Sequence, residues 1–143
     1  MSWDNALNTG IETVDMHHRG LVQRVEEFHM ACMNNDGNEA LSKILAFLDE
    51  YILVHFSYEE GLFQSVNYPQ REIHINSHKS FIAEVNNIRN RIDNDDSTAD
   101  IIKYAKDFLM AWLVRHISGM DMDFSVYYKN AMSGTVIKRH TNN

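Results

Sequence analysis

The stretch ALSKILAFLDEYILVHFSYEEGLF, residues 40–63, decides the fold. Leu41, Ile44, Leu48 and Leu62 recur at the three- and four-residue spacing of one helix face, at about 100° per residue. His55 and Glu59 stand one turn apart on that same face. A helix that sets an imidazole and a carboxylate among its leucines demands a partner for them. Each buried polar group left unpaired costs about 1–3 kcal/mol.

Three further segments share this habit. Helical periodicity runs over residues 15–34, 39–65, 70–93 and 97 to 116 or beyond, separated by the polar turns NNDGN, VNYP and DNDDS. The fourth opens on STAD, a Ser-x-x-Asp cap at Ser97. No strand alternation, internal repeat or low-complexity run interrupts them. Four long helices joined by short turns predict an all-α, up-down-up-down antiparallel four-helix bundle. Residues 1–14, with Trp3 and Ile11, are expected as an N-terminal arm packed on it. Residues 122–143 form a C-terminal extension without a readable motif.

Composition narrows the function. At 143 residues the chain reads as one domain over 1–143, and its formal net charge of −7 argues against a nucleic-acid surface. No apolar run approaches the ~20 residues of a membrane span. The N-terminus lacks a charged-then-apolar signal layout, which predicts a cytoplasmic protein. Cys32 is the single cysteine, so neither an internal disulfide nor an all-cysteine metal site is available.

The other helices carry polar intruders too. His74 and His78 share a face with Phe81, Val85, Ile88 and Ile92. His116 shares one with Ile102, Ala105, Leu109, Trp112 and Leu113, and His18 one with Leu21, Val22, Val25 and Cys32. His17 lies further from the centre of its face than His18. In an antiparallel pair, residues equidistant from a turn lie at one level. The midpoint of His18 and His55 falls inside NDGN, that of Glu59 and His74 inside VNYP, and that of His78 and His116 at the end of NDDS. Three independent turns therefore place five histidines and a glutamate at one depth. Unpaired, they would consume much of a domain's stability. A bound metal gives each of them a bond. Nitrogen and oxygen donors without thiolate argue against iron–sulfur clusters and structural zinc, and six or more ligands suit two octahedral ions. A ferritin-like carboxylate site would need two Glu-x-x-His motifs; Glu26 and His29 supply the one pair, about three turns from the level of His18.

The pieces GIETVDMHHRGL, HFSYEE, HINSH and WLVRHISGMD, spread over residues 10–121, resemble a single-domain bacterial hemerythrin. That resemblance implies a four-helix bundle holding two iron ions, joined by an oxo or hydroxo bridge, that bind dioxygen reversibly. Carried over, His74, His78 and His116 would hold one iron and His18 and His55 the other, with Glu59 and Asp121 bridging. Asp121 enters only through the resemblance, with Asp123 as a rival off the family spacing. His116 to Asp121 is five residues, about 140° around a regular helix, so a widened turn near Gly119 is required. Leu21, Phe56, Phe63, Trp112, Leu113 and Ile117 fall where the family lines its dioxygen pocket. That list holds no acid or base, which favours binding over enzymatic turnover. His17 stands where the family commonly has glutamine, and His17, His29 and His140 are read as non-ligands. The implied function is oxygen storage, delivery or scavenging. The alternatives are sensing through an unidentified protein partner, and peroxide or nitric oxide chemistry at the same irons.

Overall fold

The computed structural model describes residues 5–94 and 98–141, with side chains through Gly134. Trp3, Ser97 and the side chain of His140 lie outside the described residues. Among the described residues there is no strand, and no helix is long and apolar enough to cross a membrane. After a 3-10 turn at Asn5–Leu7 come α1 (Glu12–Met33), α2 (Gly37–Tyr51), α3 (Ser57–Ser65), α4 (Arg71–Asp93), α5 (Thr98–His116) and α6 (Met122–Thr141). The second bundle helix is α2 and α3 joined through a π-turn, Ile52–Phe56. The fourth is α5 and α6 joined through another, Ile117–Asp121. Packing of α1 on α2 and α5, of α4 on α5 and of α3 on α4 closes the expected four-helix bundle.

The helix boundaries follow local chemistry. α1 begins three residues earlier than its periodicity suggests, because Asp15 ties the arm down. Its carboxylate accepts hydrogen bonds from Thr9 N and Thr9 Oγ1, both at 2.7 Å, and from Gly10 N at 3.1 Å. Gly10 adopts φ +86°, a conformation glycine takes without strain, and this lets the arm fold back. Asn35 and Asn67 turn the chain at φ 64° and 52° after α1 and α3, the left-handed region that asparagine tolerates better than most residues.

Two apolar clusters fill the bundle. The larger contains Leu21, Val25, Leu48, Phe81, Val85, Leu109 and Leu113. The smaller gathers Ile11, Val14, Phe63, Tyr68 and Phe124. Ile11 thus packs the arm as expected. The widened turn at 52–56 was not foreseen, and it shifts the helix phase: Leu62, expected on the buried face, is half-buried and Phe63 is fully buried in its place. Near helix ends Cys32 and Ile102 are also only half-buried, and Ile92 is exposed. The C-terminal segment continues the fourth helix. There Phe124 fills the smaller cluster and Tyr127 donates from its hydroxyl to Val66 O at 3.2 Å.

Phe124→Ala should therefore cost about 3–5 kcal/mol. Val126→Ala, on the exposed face of the same helix, should stay within about 0.5 kcal/mol. Urea unfolding of both variants checks this, and equal midpoints would mean that α6 adds nothing to the core.

Candidate metal centre

The polar residues form one buried layer between the two clusters. His18, His55, Glu59, His74, His78, His116 and Asp121 are each no more than 5% exposed. Every helix of the bundle contributes: His18 from α1, His55 from the first π-turn, Glu59 from α3, His74 and His78 from α4, His116 from the last residue of α5 and Asp121 from the last residue of the second π-turn. Both π-turns set adjacent residues inside, His55 with Phe56 and His116 with Ile117. A widened turn broadens the inward face and brings Asp121 back beside His116. Asp123, the rival, is exposed.

The donors divide into two groups that share both carboxylates. One is Glu59, His74, His78, His116 and Asp121; the other is His18, His55, Glu59 and Asp121. In each group one nitrogen or oxygen per residue lies within 4.8 Å of the others. His74 Nε2 stands 3.0 Å from Glu59 Oε1 and 2.9 Å from Asp121 Oδ1. His78 Nε2 is 2.9 Å from Glu59 Oε1, His18 Nε2 is 2.9 Å from Asp121 Oδ2, and His55 Nε2 is 3.8 Å from Glu59 Oε2. Proximity does not satisfy them. His18 Nε2, His55 Nε2, Glu59 Oε2 and both Asp121 oxygens are buried without an aligned hydrogen bond. Donor atoms converging on a common interior, with lone pairs unspent, fit metal ions of nitrogen and oxygen preference.

Bonds on the outer edges of the rings fix their direction. His78 Nδ1 donates to Glu60 Oε2 at 2.8 Å, and a bond of 3.0 Å joins His116 Nδ1 to Ser77 Oγ. A bond of 2.9 Å joins His55 Nδ1 to His17 Nδ1. Such partners hold each Nε2 inward. The sequence reading missed Glu60 and Ser77 in this role; each directly adjoins a candidate ligand, Glu59 and His78, which was the available signal. His17 falls outside both donor groups, as does His29.

Aromatic rings clamp the imidazoles. Phe56 stacks on His78 with centroids 3.8 Å apart and planes 5° apart, and Trp112 stacks on His116 at 4.3 Å and 12°. Of the six expected pocket residues, Leu21, Phe56, Leu113 and Ile117 sit in the larger cluster with half-buried Trp112 against it. Phe63 does not join them. One turn past Glu59, it faces the opposite side of the layer, in the smaller cluster, 4.5 Å from His74 by ring centroids.

The charges respond to this crowding. Burial disfavours the charged form of His74, but the carboxylates of Asp121 and Glu59, within 3.0 Å of its Nε2, outweigh it and lift its pKa from 6.5 to about 9. His18 is raised on the same balance, burial opposing and Asp121 prevailing. Burial and the neighbouring His18 push His55 well below its usual range. Asp121 is held well below the ordinary carboxyl value, because His116, His18 and His74 overcome its burial.

A helical bundle with a buried histidine–carboxylate layer shared between two donor groups is a metal-binding class of protein. Residues 9–126 match the hemerythrin HHE cation binding domain, and the chain belongs to the hemerythrin family. It is 29% identical over 134 residues to a bacteriohemerythrin of Pseudomonas aeruginosa, covering 94% of this chain and 85% of that one. It is 29% identical over 126 residues to a bacteriohemerythrin of Clostridium acetobutylicum, covering 85% and 96%. A hemerythrin-like protein of Naegleria gruberi is 26% identical over 123 residues, covering 86% and 89%.

Two pH effects follow. With its pKa lifted from 6.5 to about 9, charged His74 stabilises the metal-free fold fully below pH 6.5, and that contribution is lost as pH rises through about 9. The melting temperature of metal-free protein should fall between those values. Metal needs the unprotonated imidazole, so loading at pH 7.5 should release protons and weaken as pH falls. Titration calorimetry in buffers of different ionisation enthalpy measures the release; none would mean that His74 is neutral before loading.

Proposed function

We propose that the chain binds dioxygen reversibly at two iron ions, for storage, delivery or scavenging. The observation that carries this reading is the pair of donor groups sharing Glu59 and Asp121 around unsatisfied buried atoms. His74, His78 and His116 would hold one ion, His18 and His55 the other, and the two carboxylates would bridge them beside an oxo or hydroxo group. Iron supplies the redox chemistry that lets dioxygen bind and leave.

The chain's own residues do the rest. Glu60, Ser77 and His17 orient three imidazoles. Leu21, Phe56, Leu113 and Ile117 keep water from one side of the layer. None of these four carries an acid or base, so the reading is binding rather than turnover. The centre would be loaded with ferrous iron without air and its optical spectrum followed before and after oxygen. Two irons per chain and a spectrum that returns on deoxygenation are expected. A single tightly held zinc with no uptake of iron would sink the assignment.

Leu113 separates packing from protection. Leu113→Ala and Ile44→Ala both empty core positions and should each cost about 2–5 kcal/mol. Ile44 lies in α2, 11 residues before His55, about 16 Å along the helix. The oxygenated form should decay faster in Leu113→Ala alone, because water gains access. Equal decay rates at matched temperature would reduce Leu113 to packing.

A further inference from the structure

A groove of about 260 Å³ runs between α1 and the end of α2 into the first π-turn, reaching inward to His55. We propose that this groove is the route by which a small neutral diatomic molecule reaches the two-histidine half of the centre; this rests on the dioxygen-binding reading above. Met16 and Val54, 60% and 59% exposed, form an apolar mouth. Tyr51 makes the floor, its ring stacked on His55 with centroids 4.7 Å apart. His17 stands at the inner end, its ring edge-on to His55 at 5.0 Å and 88°.

Three observations converge on this face. First, the two-histidine group has four protein donors against five in the other. An ion of octahedral preference therefore keeps more free positions on the side of His18 and His55. Second, apolar groups of Met16, Phe47, Tyr51 and Val54 make up most of the groove's wall, with Glu50 and His17 also on it, which suits a neutral diatomic better than an ion. The comparable hollow beside His116 carries Ser77 and Arg115 beside Trp112 and Met120. Third, Gly20 lies inside a helix, where glycine costs about 1 kcal/mol against alanine. A Cβ there would meet nothing within 4 Å, and its φ is not in the left-handed region. Glycine at 20 leaves that part of the groove wall without a side chain.

The route makes a kinetic claim. A plug raises the barrier between outside and inside without altering either end, so association and dissociation slow by the same factor and affinity holds. Gly20→Leu and, independently, Val54→Trp place bulk in the groove. Met30→Trp adds bulk at an exposed position of α1 away from it. The probe is nitric oxide binding to the reduced, iron-loaded protein, followed optically in both directions. Both plugs should slow both rates by about tenfold or more, with the control unchanged. Unchanged rates in both plugs, or a change in affinity with association untouched, would overturn the proposal. Crystals of the loaded protein under xenon pressure add a reading that needs no redox chemistry. Xenon should occupy the groove and be lost from it in Gly20→Leu; xenon beside the centre with none in the groove would also overturn the route. Failure of reversible dioxygen binding would remove the functional reading, while the nitric oxide rates and xenon sites would still decide the route.

Discussion

Two carboxylates, Glu59 and Asp121, are buried in one layer of the bundle, with oxygens in reach of the same imidazoles. Like charges about 4 Å apart repel by about 4 kcal/mol at an effective dielectric of 20. Neither anion has bulk water to dilute its field. The layer therefore persists only with compensating positive charge at its centre. In the metal-free protein, a proton on His74, whose pKa is lifted to about 9, supplies part of it, and Asp121 raises the pKa of His18 in the same direction. Metal ions would supply more, and would use the lone pairs that protons leave idle. The fold accommodates this demand: every bundle helix delivers a donor, and two of them give up regular pitch to do so.

The layer also divides the interior. Apolar packing above and below is continuous within each cluster but not across the polar plane. The rings of Tyr51, Phe56, Phe63 and Trp112 lie against its imidazoles. Those rings do two things at once. They fix ring orientation by stacking, and they keep the medium around the donors dry, which strengthens each electrostatic contact inside. Stability and chemistry therefore draw on the same side chains, and a change at Phe56 would touch both.

Much of this was legible in the chain because periodicity reports burial. The four helices and the shared depth of His18, His55, Glu59, His74, His78 and His116 follow from spacing alone. Asp121 did not; it came from a family pattern, since five residues at regular pitch aim it away from His116. The π-turn at 52–56 left no trace in the periodicity, because Leu62 and Phe63 are both apolar and either could face inward. Glu60 and Ser77 were hidden for another reason. A residue beside a ligand lies about 100° off its face and looks solvated, until the neighbouring helix brings a ring nitrogen to it. The C-terminal helix escaped because its inward positions, Phe124, Ser125 and Tyr128, alternate apolar and polar chemistry too closely to show a stripe.

The π-turns have a bearing on how this chain can change over time. Each acts as a phase shifter: the helix before it and the helix after it are written in different registers, offset by one residue. Drawing 52–56 back to ordinary pitch with every residue kept would rotate everything downstream to the VNYP turn by about 100°, and Glu59 would leave the layer and Phe63 the core in one step. Deleting one residue as the pitch tightens would instead leave the downstream faces where they are. Each turn thus stores one extra residue of chain length without disturbing the donors that follow it.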